Sequence, residues 1–145
     1  MWLLDTNIVY GRARQKPAEK VAAWLTSQDS KTLFVSAGTF AEIRFGIENS
    51  GNPIRREALR DWLTNIVRSM FAGQTVQLTE DVLFVWRGLA SDAQKRGKTI
   101  SQADSLIAAT AAVTNLIMCT RDVSPYVDAG IPTLNPYTGE RINGA

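Results

Sequence analysis

The sequence predicts an α/β protein with a mostly parallel central sheet flanked by helices on both faces. Three observations carry that expectation. Short apolar runs, "WLL" (2–4), "LFVS" (33–36) and "LIMCT" (116–120), have the length of buried strands. Longer stretches with helical periodicity stand between them, so strand and helix alternate along the chain. With 45% hydrophobic residues in 145, the composition supplies a core for one compact domain spanning 1–145.

Taken in order, "WLL" ends abruptly at Asp5-Thr6-Asn7, read as a turn-forming trio at the carboxyl end of the first strand. Pro17 is expected to start a helix with Val21, Trp24 and Leu25 on one face. "LFVS" is the second strand, and Ser36 can cap the helix "AGTFAEIRFGI", which carries Glu42 about two turns in with apolar Ile43, Phe45 and Ile47 beside it. "ENSGNP" (48–53) reads as a turn between helices. Leu59, Trp62, Leu63, Ile66, Val67, Met70 and Phe71 recur at one continuous helical period. "VQL" (76–78) is a candidate strand. Thr79 then caps a helix with Glu80 and Asp81 in its first turn, ending at Lys95-Arg96 before Gly97.

In "SQADSLIAATA" (101–111), Ser101 sits at the N-cap, Asp104 three residues on gives a pattern resembling a capping box, and a helix runs from about Gln102 to Thr114. "LIMCT" leads into Arg121-Asp122, and "IPTL" (131–134) is a last short strand. The prolines after 124 and the Trp and Phe residues of the amphipathic helices are read as packing features.

Composition narrows the chemistry. The chain has no histidine and one cysteine, Cys119, which removes Ser–His and Cys–His nucleophiles, Cys/His zinc sites and any internal disulfide. "MWLLDT" lacks the basic start and long apolar run of a secretory signal, and Asp104, Ser105 and Asn115 interrupt the most apolar stretch. A cytoplasmic location without a membrane span is therefore expected. Catalysis would have to come from carboxylates, hydroxyls, Lys, Arg or a bound hard cation such as Mg²⁺ or Mn²⁺.

The acids fall where such chemistry could assemble. In open parallel sheets, sites form at the carboxyl ends of strands. Asp5 and Asp122 each follow a strand, Glu42 lies in the helix after the second strand, and Asp104 lies in the first turn of its own helix. All four belong to one sheet edge. Each also has a plain alternative: Asp5 a turn residue, Glu42 a solvated helix residue, Asp104 a cap, Asp122 the start of a loop. Crowded carboxylates are stable with a bound cation or raised pKa values, and divalent ions at such a site can activate water for phosphoryl transfer. Arg12, Arg14, Lys16, Arg44, Arg96, Lys98 and Arg121 flank the acids in sequence and could form the positive rim that a polyanion needs, although charged residues commonly only cover surfaces. A net charge of +2 neither announces nor excludes a nucleic-acid ligand. "RGKTI" (96–100) fails as a P-loop because Asp92 stands where its first glycine should.

"LLDTN", "TFAEIRFG", "ADSLIAATA" and "CTRD" together resemble the successive motifs of PIN-domain ribonucleases, and more narrowly the toxins of VapBC-type toxin–antitoxin pairs in their FitB-like branch. The resemblance runs from Leu3 to about Pro136. It implies a PIN-like fold, Mg²⁺ or Mn²⁺ bound by Asp5, Glu42, Asp104 and Asp122, and support from Thr6, Ser101 and Thr120. Asp5 and Asp104 would be the direct ligands. It further implies RNA as substrate, a homodimer possibly within a higher assembly, and a cognate DNA-binding antitoxin as partner. Many relatives read "TRNxxDF" where this chain has "TRDVSPY", so Asp122 takes the Asn position and Pro125 the later Asp position. Two other readings stay open: a non-catalytic regulatory partner of a DNA-binding protein, and a phosphatase using Asp5 as nucleophile.

Overall fold

Five strands run parallel, and each of the first two delivers a site-bearing segment to the same edge. The computed structural model describes residues 1–13 and 18–145, with side chains described outside 11–17. The sheet comprises β1 (Trp2–Leu4), β2 (Leu33–Ser36), β3 (Thr75–Val76), β4 (Ile117–Cys119), β5 (Thr133–Asn135) and β6 (Glu140–Ile142), in the order β3-β2-β1-β4-β5-β6. Strands β1 to β5 pair in parallel, and β6 closes one edge antiparallel to β5. The chain thus winds outward in one direction from β1 and resumes on its other side with β4. The β1–β4 junction is therefore the point where strand order reverses, the crevice in which open α/β sheets place their sites.

Side-chain alternation along these strands builds two cores. Leu3 and Met118 point to the face covered by Ile107, Ala108, Ala111 and Tyr126. Trp2, Leu4, Leu33, Val35 and Cys119 point to the other, against Ile8, Val21, Phe40, Ile43, Ile47 and Val67. Helices therefore cover both faces, as expected. Cys119 lies buried in the second core as a free thiol, and burial pushes its pKa well up.

Several elements differ from the sequence reading. Thr6-Asn7 opens helix α1 (Thr6–Ala13) directly instead of forming a turn, because the Asp5 carbonyl already accepts the N–H groups of Ile8 and Val9 at 3.0 Å. Helix α2 spans Glu19–Ser27 with Val21 and Leu25 buried, while the expected helix start at Pro17 lies outside the described residues. Helix α3 (Ala37–Glu48) is capped by Ser36, whose Oγ accepts from Gly38 N–H at 3.1 Å, and the turn at 48–53 leads into α4 (Pro53–Trp62).

The continuous helix expected over 59–71 is broken. A π-helical turn, Leu63–Val67, separates α4 from the short α5 (Arg68–Met70). Leu63, Val67 and Phe71 are buried, whereas Ile66 is 47% exposed. Widening the repeat to i→i+5 rotates the apolar stripe, so Ile66 leaves the core.

Helix α6 (Glu80–Lys95) is capped by Thr79, and α7 (Gln102–Thr114) by Ser101. The third strand is Thr75–Val76 rather than 76–78, and the fifth is shifted to Thr133–Asn135. A short helix α8 (Ser124–Asp128) and strand β6 were not expected. Pro136 is buried and Pro125 and Pro132 half-buried, so these prolines do pack. Phe45 and Phe84 do not, at 72% and 79% exposed. No helix among the described residues is long and apolar enough to cross a membrane.

Candidate active site

The parallel register places Asp5 beside Thr120. Leu4 pairs with Cys119, and the Asp5 N–H donates to the Cys119 carbonyl at 3.0 Å, so the next residues of both strands emerge side by side. Both carboxylate oxygens of Asp5 are occupied by neighbours. Its Oδ1 accepts from Thr6 N–H at 2.8 Å, and its Oδ2 accepts from the Thr120 hydroxyl at 2.6 Å and from Asn7 Nδ2 at 3.2 Å. Asn7 in turn accepts from Arg121 N–H at 3.2 Å, tying the start of α1 to the loop after β4.

Asp5 is buried. Removal from water pushes its pKa up, the bonds from Thr120 and Thr6 hold it down, and the charges of Asp104 and Glu42 add to the rise. A carboxylate engaged by three donors and rigidly held has little freedom to attack phosphorus, which speaks against the phosphatase reading.

A cleft of about 300 Å³ opens above this group, lined by Asp5, Glu42, Asp104, Asp122, Tyr10 and Tyr126 among others. Thus the four acids named from the sequence, carried by four separate segments, line one cavity. Glu42 reaches it from α3, and its Oε2 accepts from the Thr6 hydroxyl at 2.7 Å. Asp104 is half-buried in the first turn of α7. Asp122 is exposed at the mouth, and its N–H donates to Thr120 Oγ1 at 3.1 Å.

Thr6 and Thr120 therefore sit among the acids. Ser101 does not line the cleft: its Oγ accepts from Asp104 N–H at 3.0 Å, holding the helix start that carries the acid. Ser101 is thus the cap of α7, while Asp104 lines the cleft.

Among the described residues, the cleft's own acids have no basic counter-ion. Both ion pairs among the described residues, Arg60–Glu48 and Lys98–Asp128, lie elsewhere. The expected positive rim is not what the described basic residues form. Lys98 and Arg96 are tied to Asp128 on α8, Arg121 lies over the Tyr137 ring, and Arg44 lines a different cleft across α3. Arg12, Arg14 and Lys16 lie outside the residues whose side chains are described.

An all-oxygen, acidic donor set suits a hard divalent cation rather than a soft one. Among the described residues no three carboxylates converge into a ready-made cage. Like charges on separate elements stand apart unless a cation offsets their repulsion.

Three site residues were not anticipated, Tyr126, Tyr10 and Asn7. Tyr126 is 1% exposed, and its hydroxyl donates to Asp104 Oδ1 at 3.5 Å. Burial and the surrounding acids push its pKa well above the usual phenol range, so it stays protonated as a donor. Tyr10 stacks on Trp62 with ring centroids 5.4 Å apart while lining the cleft, and burial together with Glu42 raises its pKa. The only sequence signal for Tyr126 was its place in "TRDVSPY", where a phenol stands at the Phe position of "TRNxxDF". Asn7, read only as a turn former, is the clip between Asp5 and the Arg121 backbone.

Comparison with known proteins agrees with this geometry. The PIN domain family model matches residues 2–126. The chain is 35% identical to Toxin FitB of Neisseria gonorrhoeae (strain ATCC 700825 / FA 1090) over 94% of its length and 99% of the relative's. It is also 35% identical to VapC ribonuclease Y4jK of Sinorhizobium fredii (strain NBRC 101917 / NGR234), over 94% and 98%. A chain in a structure of FitAB bound to the IR36 DNA fragment superposes with a TM-score of 0.83 at 34% identity, covering 94% of this chain and 96% of that one. With the motifs in order, the strand-edge acids and the doubly covered parallel sheet, the chain belongs to the PIN-domain family, among relatives of FitB and VapC.

Proposed function

We propose that the protein is a divalent-metal-dependent endoribonuclease and the toxin of a type II toxin–antitoxin module. The observation that carries the proposal is the convergence of Asp5, Glu42, Asp104 and Asp122 on one cleft, with no basic counter-ion among the described residues. Asp5 and Asp104 would hold Mg²⁺ or Mn²⁺, with Glu42 and Asp122 completing the acidic set. A bound cation of this kind supplies positive charge for a phosphodiester and lowers the pKa of water.

The protein's own groups do the positioning. Thr120, Thr6 and Asn7 fix both oxygens of Asp5. The Thr6 hydroxyl occupies Glu42 Oε2 and leaves Oε1 to orient the attacking water and take its proton. Tyr126 steadies Asp104 through its phenol. Hydrolysis then joins the water oxygen to phosphorus as the bond to the leaving RNA oxygen breaks, and that oxygen takes up a proton from solvent to leave as a hydroxyl.

The toxin role rests on relatives named Toxin FitB and VapC ribonuclease, and a partner role on the FitAB complex with DNA. We take the partner to be a cognate antitoxin with a DNA-binding half. Exposed Leu83 and Phe84 on α6 offer apolar surface for a homodimer or for that partner. The test is RNA cleavage with and without Mg²⁺ or Mn²⁺ by the parent, Asp5→Asn and Asp104→Asn. Metal-dependent cleavage lost in both variants supports the proposal, whereas equal cleavage by all three refutes the site. No cleavage by any of them, with tight binding to a DNA-binding partner, would favour the regulatory reading.

A further inference from the structure

Of the basic residues expected to rim the acidic cleft, Arg44 lines instead the next cleft along α3, where it meets Arg68. That cavity, of about 480 Å³, is lined by Phe40, Arg44, Phe45, Arg68, Thr75 and Gln77, among others. It adjoins a second, of about 310 Å³, which shares Arg44 and Arg68 and adds Arg60 and Thr64. The acid common to both, Glu48, is neutralised by Arg60, which donates to both of its carboxylate oxygens through Nε and a terminal nitrogen. Arg44 and Arg68 have no carboxylate partner among the described residues. Arg68 lies 4.7 Å over the Phe40 ring, which holds the guanidinium plane while leaving its N–H edge free. The trench is therefore net positive and carries two unspent guanidinium groups.

Phe45 connects this trench to the acids. At about 100° per residue, Phe45 stands about 60° around α3 from Glu42, and Arg44 and Glu48 continue in the same rotational direction. An aromatic ring 72% exposed thus stands between the acidic cleft and the arginines. Positive charge alternating with an exposed aromatic face is the physical requirement for holding a single strand, with phosphates on guanidinium groups and a base on the ring.

We infer that the Arg44–Arg68 trench is the track for single-stranded RNA flanking the scissile bond, with Phe45 as a base-stacking platform. The inference rests on the ribonuclease reading and adds where the substrate lies outside the cleft. It also gives the separation of charges a purpose: the acids stay free for a cation while the polyanion is gripped one helix face away.

The test measures binding of a fluorescein-labelled single-stranded 12-nucleotide RNA over a range of salt concentrations, for the parent, Arg44→Gln/Arg68→Gln, Phe45→Leu and Arg87→Gln. Loss of two phosphate contacts should weaken binding at least 10-fold and flatten the log–log salt slope by about 1.4. Phe45→Leu should weaken it about 10-fold with the slope unchanged, since stacking releases no counterions. Arg87, exposed on α6 away from the trench, should leave both within twofold. If the parent binds and cleaves this RNA while the trench variants match it, the trench assignment falls and the ribonuclease reading stands. If the parent neither binds nor cleaves, both fall. If light scattering shows that the variants lose self-association while RNA affinity is retained, the trench is an interface between copies and the inference is overturned.

Discussion

Thr120→Val exchanges one hydroxyl for a methyl group at the most connected point of the site. The Thr120 side chain is fully buried, donates to Asp5 Oδ2 at 2.6 Å, and accepts from Asn7 Nδ2 at 3.2 Å and Asp122 N–H at 3.1 Å. Losing a hydrogen bond to a buried charged acceptor costs about 1.5–3 kcal/mol, and the two donors left short of a partner add to it, so a loss of about 3 kcal/mol at neutral pH is expected. With a urea m-value of about 2–3 kcal/mol/M, the unfolding midpoint should fall by about 1 M.

The pH dependence identifies the cause. Burial raises the Asp5 pKa above its ordinary 3.8, and the Thr120 bond opposes that rise, so the variant's pKa climbs further. A raised native pKa means that the native state binds the extra proton, and stability falls as pH increases through that range. The variant must fall further than the parent. The difference is therefore largest above both native pKa values and shrinks as pH drops toward 3.8. Urea unfolding of metal-free protein at pH 8 and pH 4 reads this directly. An equal cost at both pH values, or the same cost in an Asp5→Asn background, would show that the bond to Asp5 is not what Thr120 contributes.

Three further changes separate roles within the site. Asp5→Asn should abolish cleavage yet raise the melting temperature at pH 7, because desolvation of the charge is the largest influence on this group and the amide removes it; a lowered melting temperature would contradict this account. Tyr126→Phe deletes the hydroxyl that bonds Asp104 and also lies against Asp5, so Mn²⁺ affinity measured by calorimetry should weaken about 3–10-fold for a stability loss of about 1 kcal/mol; unchanged affinity would make Tyr126 a packing residue alone. Ser101→Ala should cost about 1 kcal/mol as a lost helix cap while kcat stays within about twofold, and a larger fall in kcat would make Ser101 part of the site itself.

What could be read from the sequence follows from which features are local. The meeting of Asp5 with Thr120 follows from strand length and parallel order, since "WLL" and "LIMCT" both end where the acid or hydroxyl begins. The start of α7 was legible to the residue, because Ser101 satisfies a donor only three positions away. Other features depend on distant geometry. No residue in 59–71 announces a π turn, yet that turn expels Ile66 from an otherwise regular stripe. Strand β6, "ERI", has no apolar run and exists because β5 offers it an edge. Asp5-Thr6-Asn7 suits a turn and a helix start equally well, and the i→i+4 bond from Val9 to the Asp5 carbonyl decides between them.

The basic residues show most clearly why proximity in sequence is a poor guide to a site. Arg44 lies two positions from Glu42, which on a strand would place both side chains on one face. On a helix two positions turn the side chain about 200°, and Arg44 lines the neighbouring cleft instead. Had it faced inward, a guanidinium among four carboxylates would neutralise them and compete with any cation for the same oxygens. Helical geometry at α3 therefore does what a strand could not. One short segment supplies an acid to the cleft, an aromatic ring to its flank and a free arginine to the adjoining trench, with the opposite charges kept from pairing.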